Sequence, residues 1–171
     1  MEASERRERI LETLKNSEKP VSATALADIF KVSRQIIVGD VALLRAADND
    51  ISATPRGYIL QTAAQPGIVR QIACRHKPDE MQEELYAMVD QGCTVRDVIV
   101  EHPLYGQITG SLHVSSRYDV DQFIEKCRQS EARPLSDLTG GIHLHTVICP
   151  DEDTYRRVKT SLRNLGFLFE R

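Results

Sequence analysis

Three amphipathic segments open the chain. Ile10, Leu11 and Leu14 fall at helical spacing and predict a helix over residues 4–17, with Ser4 as its N-cap and Asn16, Ser17 and Pro20 ending it. Ala25, Leu26, Ile29 and Phe30 predict a short second helix over 24–30, with Ser22 and Thr24 as cap candidates. Lys31-Val32-Ser33 reads as a tight turn. Ser33 then caps a third helix to about residue 47, with Ile37, Val41 and Leu44 on one face and Arg34, Gln35 and Asp40 on the polar face. Asp48-Asn49-Asp50 breaks the pattern, and two short strands, 51–54 and 58–61, flank a hairpin tip of Pro55-Arg56-Gly57.

Thr62 to Gly67 interrupts the periodicity and predicts a linker between domains at 1–62 and 68–171. The remainder alternates between strand and helix patterns. Strands are expected at 68–75, 95–101, 107–114 and 141–149, and helices at 78–91, 117–130 and 151–164. A short apolar end follows at 167–169. The order β-α-β-β-α-β-α predicts an α+β domain with helices on one face of the sheet.

Composition adds limits. The 171 residues are 41% hydrophobic and 27% charged, which is ordinary for a soluble globular protein. The charged start and the lack of a long apolar run predict a cytoplasmic protein. The four cysteines, Cys74, Cys93, Cys127 and Cys149, form no C-x-x-C pair and are expected to be buried thiols. The net charge of −3 does not favour nucleic acid, and residues 1–65 carry three Lys and six Arg against four Asp and five Glu. A DNA-binding reading therefore rests on placement.

That placement is specific. In a helix-turn-helix the front of the last helix meets the base edges, here Ser33, Arg34, Gln35 and Val38. Arg pairs with guanine and Gln with adenine. Lys31, Arg45 and the wing-tip Arg56 are candidates for phosphate contact. The segment VSRQIIVGDVALLR resembles the winged-helix module of biotin-repressor-type regulators, with Gly39 standing where a longer side chain is usual.

All five histidines, His76, His102, His113, His143 and His145, lie in the second half. His143 and His145 share one face of a strand at about 6–7 Å between Cα atoms, a spacing that lets two imidazoles meet one ion. If the first and last strands are neighbours, His76 joins them. A carboxylate from the following helix, Glu84 or its neighbour Glu83, completes a set suited to zinc, nickel or iron. His102 and His113 have structural readings equally open.

H-K-P-D-E at His76, H-P-L-Y-G at His102 and G-I-H-L-H at His143 together resemble the 3H (three-histidine) domain. Joined to the winged helix, they resemble the niacin-responsive transcriptional repressors of NAD biosynthesis and niacin uptake genes. The resemblance implies an HPr-like sandwich for the second domain. It also implies nicotinic acid as co-repressor, a homodimer on a palindromic operator, and a divalent metal, nickel or zinc, held by His76, Glu84, His143 and His145. His102 and Tyr105 are then candidates for effector binding. The rival readings are a regulator for which the ion itself is the signal and a metal-dependent hydrolase. The hydrolase is disfavoured because the sequence shows no additional base and no nucleophile motif.

Overall fold

The computed structural model describes residues 1–61 and 66–170, and the chain divides into two compact units, Met1–Ala64 and Gln65–Arg171. Most of the linker expected at 62–67 lies outside the described residues.

The first unit contains helices α1 (Ala3–Lys15), α2 (Ala23–Phe30) and α3 (Arg34–Ala46), then strands β1 (Ile51–Thr54) and β2 (Gly57–Leu60). The apolar faces read from the sequence form its core: Ile10 and Leu14 meet Leu26, Phe30, Ile37, Val41 and Leu44, and Ile51 of the wing closes one side. Ser22 and Ser33 cap α2 and α3 by accepting from the amides of Ala25 and Ile36, which satisfies donors that the helix leaves open. Thr24 lies inside α2. The cap expected at Ser4 is a correction: α1 begins at Ala3 behind Glu2, with no side-chain cap. Lys31 takes a left-handed conformation (φ 55°) and ends α2. Gly57 (φ 137°) is required, because a Cβ there would lie 2.4 Å from the Val21 backbone, where two 2.8 Å hydrogen bonds tie Val21 to Tyr58.

Asp40, expected on the polar face of α3, is turned inward and 4% exposed. Arg6 of α1 donates to its carboxylate at 2.6 and 3.4 Å, and Arg7 approaches within 3.6 Å. Burial of a carboxylate is costly without such partners, so this contact fixes how α3 lies on α1.

The second unit runs β3 (Ile68–Arg75), a 3-10 turn at Pro78–Glu80, α4 (Met81–Val89), β4 (Thr94–His102), β5 (Gly106–Val114) and α5 (Arg117–Gln129). A second 3-10 turn (Leu135–Thr139) that the periodicity had not predicted follows, then β6 (Ile142–Cys149) and α6 (Glu152–Leu165). The helix expected at 78–91 is thus a 3-10 turn leading into a shorter α-helix. This keeps the β-α-β-β-α-β-α order. The strands form an antiparallel sheet in the order β3-β6-β4-β5. Leu85 and Met88 of α4, Val120 of α5, and Val158 and Leu162 of α6 pack with Ile72, Val95, Leu112 and Val147 in one core. First and last strands are neighbours, with Cys74 opposite His143 and Ile72 opposite His145. Among the described residues, no helix is long and apolar enough to cross a membrane.

Candidate metal centre and nucleic-acid interface

Strand alternation aims Cys74 on β3, and His143 and His145 on β6, at the face covered by α4, and His76, the residue just past the end of β3, joins them. Glu84 descends from α4 onto them and is fully buried, whereas Glu83 is exposed. One oxygen, Oε2, lies 2.6 Å from Nε2 of His76. The other, Oε1, lies 2.8 Å from Nε2 of His143 and 3.2 Å from Nε2 of His145. The rings of His76 and His143, and of His143 and His145, stand edge to face with centroids 4.8 Å apart.

The far side of each ring fixes its chemistry. Nδ1 of His76 donates to the Lys77 carbonyl at 2.7 Å, that of His143 to Gly141 at 2.8 Å, and that of His145 to Asp97 at 2.7 Å. A carbonyl only accepts, so every Nδ1 carries a proton and every neutral ring points an Nε2 lone pair at the carboxylate. Three lone pairs and an anion in a space closed off from bulk solvent repel unless a positive charge joins them. Protons on the rings supply it in one state. Burial opposes the Glu84 carboxylate, but attraction from His145 and hydrogen bonds from His143 and His76 outweigh burial, and the carboxyl sits well below its usual range. Burial also opposes charge on His76 and His145, yet Glu84 outweighs it and raises both.

A divalent ion is the other way to supply the charge, and the residues fit one. Backbone carbonyls orient the rings, as outer partners of metal-bound histidines do. Nε2 of His145 is buried 3.2 Å from a Glu84 oxygen but makes no hydrogen bond, so its hydrogen-bonding capacity is unmet inside the cluster. The set is therefore able to hold a metal ion.

Two residues that the sequence reading did not single out complete the setting. Gly141 (φ 94°) allows β6 to start against His76, because a Cβ there would lie 2.5 Å from the His76 carbonyl oxygen. Cys74 is fully buried, and its sulfur lies within 4.8 Å of ligand atoms of Glu84 and His143. The alternation that paired His143 with His145 also pairs Cys74 with His76, and that signal was available in the sequence.

His102 ends β4, away from this constellation in the register. Its Nδ1 accepts from the amides of Leu104 and Tyr105 at 3.1 and 3.3 Å, and its ring lies 5.1 Å from that of Tyr105. Tyr105 is 73% exposed. His113 adopts φ 51° beside the bulge where β4 and β5 shift register. A cavity of about 390 Å³ opens beside Ala73, Ile99 and Leu144, which alternate away from the histidine face, and Glu101, Gln107 and His143 border it.

In the first unit, Arg34 and Gln35 stand exposed in the opening turn of α3 behind the Ser33 cap, with Lys31 exposed in the turn before it. Val38 is half-buried. Arg45 donates from Nε to the Ile51 carbonyl at 2.7 Å and lies over the Tyr58 ring, so it ties the wing to α3. Arg56 is half-buried in the wing turn, its amide donating to Thr54.

Three helices with a two-stranded wing define a winged helix-turn-helix, a class that presents its last helix to the DNA major groove. The chain matches an HTH domain over residues 6–59 and the 3H domain over residues 69–171. It is similar to the probable transcription repressor NiaR of Thermotoga maritima, at 45% identity over 97% of this chain and 94% of that protein. It is also similar to the transcription repressor NadR of Bacillus subtilis, at 42% identity over 96% of this chain and 93% of that protein. The chain belongs to this family of transcription repressors, which join an HTH domain to a 3H domain and are DNA-binding regulators rather than enzymes.

Proposed function

We propose that this chain represses genes of NAD biosynthesis or niacin uptake in the cytoplasm, with nicotinic acid as co-repressor and a divalent metal in the second unit. The observation that carries the sensor half is the approach of three Nε2 atoms to one buried carboxylate, in a chain whose other half is a winged helix. His76, Glu84, His143 and His145 hold the ion, which supplies a fixed positive charge where protons otherwise sit. Nitrogen and carboxylate donors in this number favour nickel or zinc.

The chain's own residues do the rest. Arg34 and Gln35 read base edges, Ser33 and Val38 line the same front of α3, and Lys31, Arg45 and Arg56 face phosphates. A homodimer spaces two such helices for half-sites about 34 Å apart. His102 and Tyr105 bind the effector. With Nδ1 accepting, a neutral His102 carries its proton on Nε2, a donor for the nicotinate carboxylate, and the neighbouring ring of Tyr105 offers a surface for the pyridine. The effector acts only by binding the DNA-competent form more tightly than the other.

Burial of the histidine cluster favours a second reading, in which the ion itself is the signal. One experiment separates them. Operator DNA recovered by selection from a random duplex pool is titrated with metal-loaded protein, with and without nicotinic acid, nicotinamide or chelator. Nicotinic acid is expected to tighten binding and chelator to abolish that response. A full response to metal with none to nicotinic acid overturns the co-repressor reading in favour of the metal sensor.

A further inference from the structure

The four cysteines are not equivalent. Cys93 and Cys149 are buried in the core beside the paired residues Thr94 and Ile148 of adjacent strands, a placement that packing alone explains. Cys127 lies half-buried on α5. Cys74 is fully enclosed and faces a carboxylate and an imidazole, with its Sγ, a Glu84 oxygen and a His143 nitrogen all within 4.8 Å of one another. It sits directly opposite His143 in the sheet register and two residues before His76, which follows the end of the strand.

A buried cysteine is usually a small apolar filler. Two observations set Cys74 apart. Its neighbours are the polar groups of the proposed metal centre. In addition, Nε2 of His145, on a residue only 3% exposed, lies 3.2 Å from the same Glu84 carboxylate without a hydrogen bond, a buried polar atom that an ion would satisfy. Around an ion, sulfur at about 2.3 Å and nitrogen at about 2.1 Å lie at most about 4.4 Å apart. The observed limit of 4.8 Å exceeds that by a few tenths of an ångström, within reach of side-chain rotation.

Building on the metal reading above, we propose that Cys74 is a further ligand of the ion, so that the centre offers imidazole, carboxylate and thiolate donors together. On binding, the S–H bond breaks, the sulfur keeps its electron pair and shares it with the ion, and the proton passes to solvent. A thiolate shifts selectivity toward borderline and soft cations such as zinc, cobalt and nickel, and away from magnesium, calcium and manganese. The residue would then decide which metal the unit accepts.

Cobalt(II) is the probe. Metal-free full-length protein is titrated with cobalt and followed by absorption, in wild type, Cys74→Ser and Cys74→Ala. Wild type is expected to show visible d–d bands and a near-ultraviolet sulfur-to-cobalt charge-transfer band. Cys74→Ser is expected to keep the d–d bands, lose the charge-transfer band and bind cobalt at least about tenfold more weakly. Cobalt uptake by wild type with no charge-transfer band overturns the ligand role of Cys74 and leaves the imidazole–carboxylate centre standing. A band that persists in Cys74→Ser also overturns it. Absence of cobalt uptake by wild type overturns the metal reading itself, and this one with it. X-ray absorption of zinc-loaded wild type decides the case if neither variant folds: a sulfur scatterer at about 2.3 Å supports the proposal, and a shell of only nitrogen and oxygen refutes it.

Discussion

Asp40 and Glu84 are both helix carboxylates closed off from water, and their partners could hardly differ more. Asp40 meets two guanidinium groups, which keep their charge at every physiological pH. Its neutralisation is permanent, and it ties α1 to α3, the helix that the winged-helix class presents to DNA. Glu84 meets three imidazoles, whose charge depends on what occupies their Nε2 atoms. Its neutralisation is conditional on a proton or an ion. The first arrangement is architecture; the second is what the proposed ion site requires. Burial alone does not distinguish them; the ionisation behaviour of the partners does.

Several changes would break or sharpen that contrast. Chelation has the largest expected effect, because an ion present at about a thousand times its dissociation constant stabilises the unit that binds it by about 4 kcal/mol. Hydrogen exchange should show the loss at the amides of β3 and β6 and leave α1–α3 unchanged. Equal loosening of both units would erase the distinction. Asp40→Ala should do the reverse: leave Arg6 without its buried partner, lower the melting temperature of the first unit and weaken operator binding, while metal uptake stays at its wild-type level. Arg34→Ala should cost about 1–3 kcal/mol in specific DNA affinity, measured by fluorescence anisotropy, with little change in non-specific binding. Gly39→Ala is the smallest. A Cβ there meets nothing within 4 Å, and alanine is favoured over glycine in a helix by about 1 kcal/mol. The variant should melt slightly higher in calorimetry, and a lower melting point would show a backbone role for the glycine.

Much of this was legible in the sequence because it follows from periodicity. The apolar stripes of α1–α3 gave the first core, and the strand–helix order gave the second unit. The i, i+2 spacing of His143 and His145 set two imidazoles on one face. What local patterns could not give was register. Whether His76 reaches the pair, and whether Glu83 or Glu84 is the carboxylate, depends on β3 lying beside β6 and on the rotation of α4. Asp40 was misplaced for the same kind of reason: its partner Arg6 is 34 positions away and nothing within α3 announces it. The Ser4 cap failed because α1 starts one residue earlier than its best capping side chain. The role of Gly141 is invisible in sequence, since it consists of the space that a missing Cβ leaves for the His76 carbonyl.

Metal stoichiometry tests the conditional carboxylate most directly. Equilibrium dialysis of the full-length chain against nickel or zinc should give one tightly held ion per chain in wild type and in Asp40→Asn. Glu84→Gln, with the anion removed and the shape kept, should lose affinity by more than the roughly 10–100-fold that an outer partner of a metal ligand is worth. An undiminished affinity in Glu84→Gln, or no bound ion in wild type, would contradict the account.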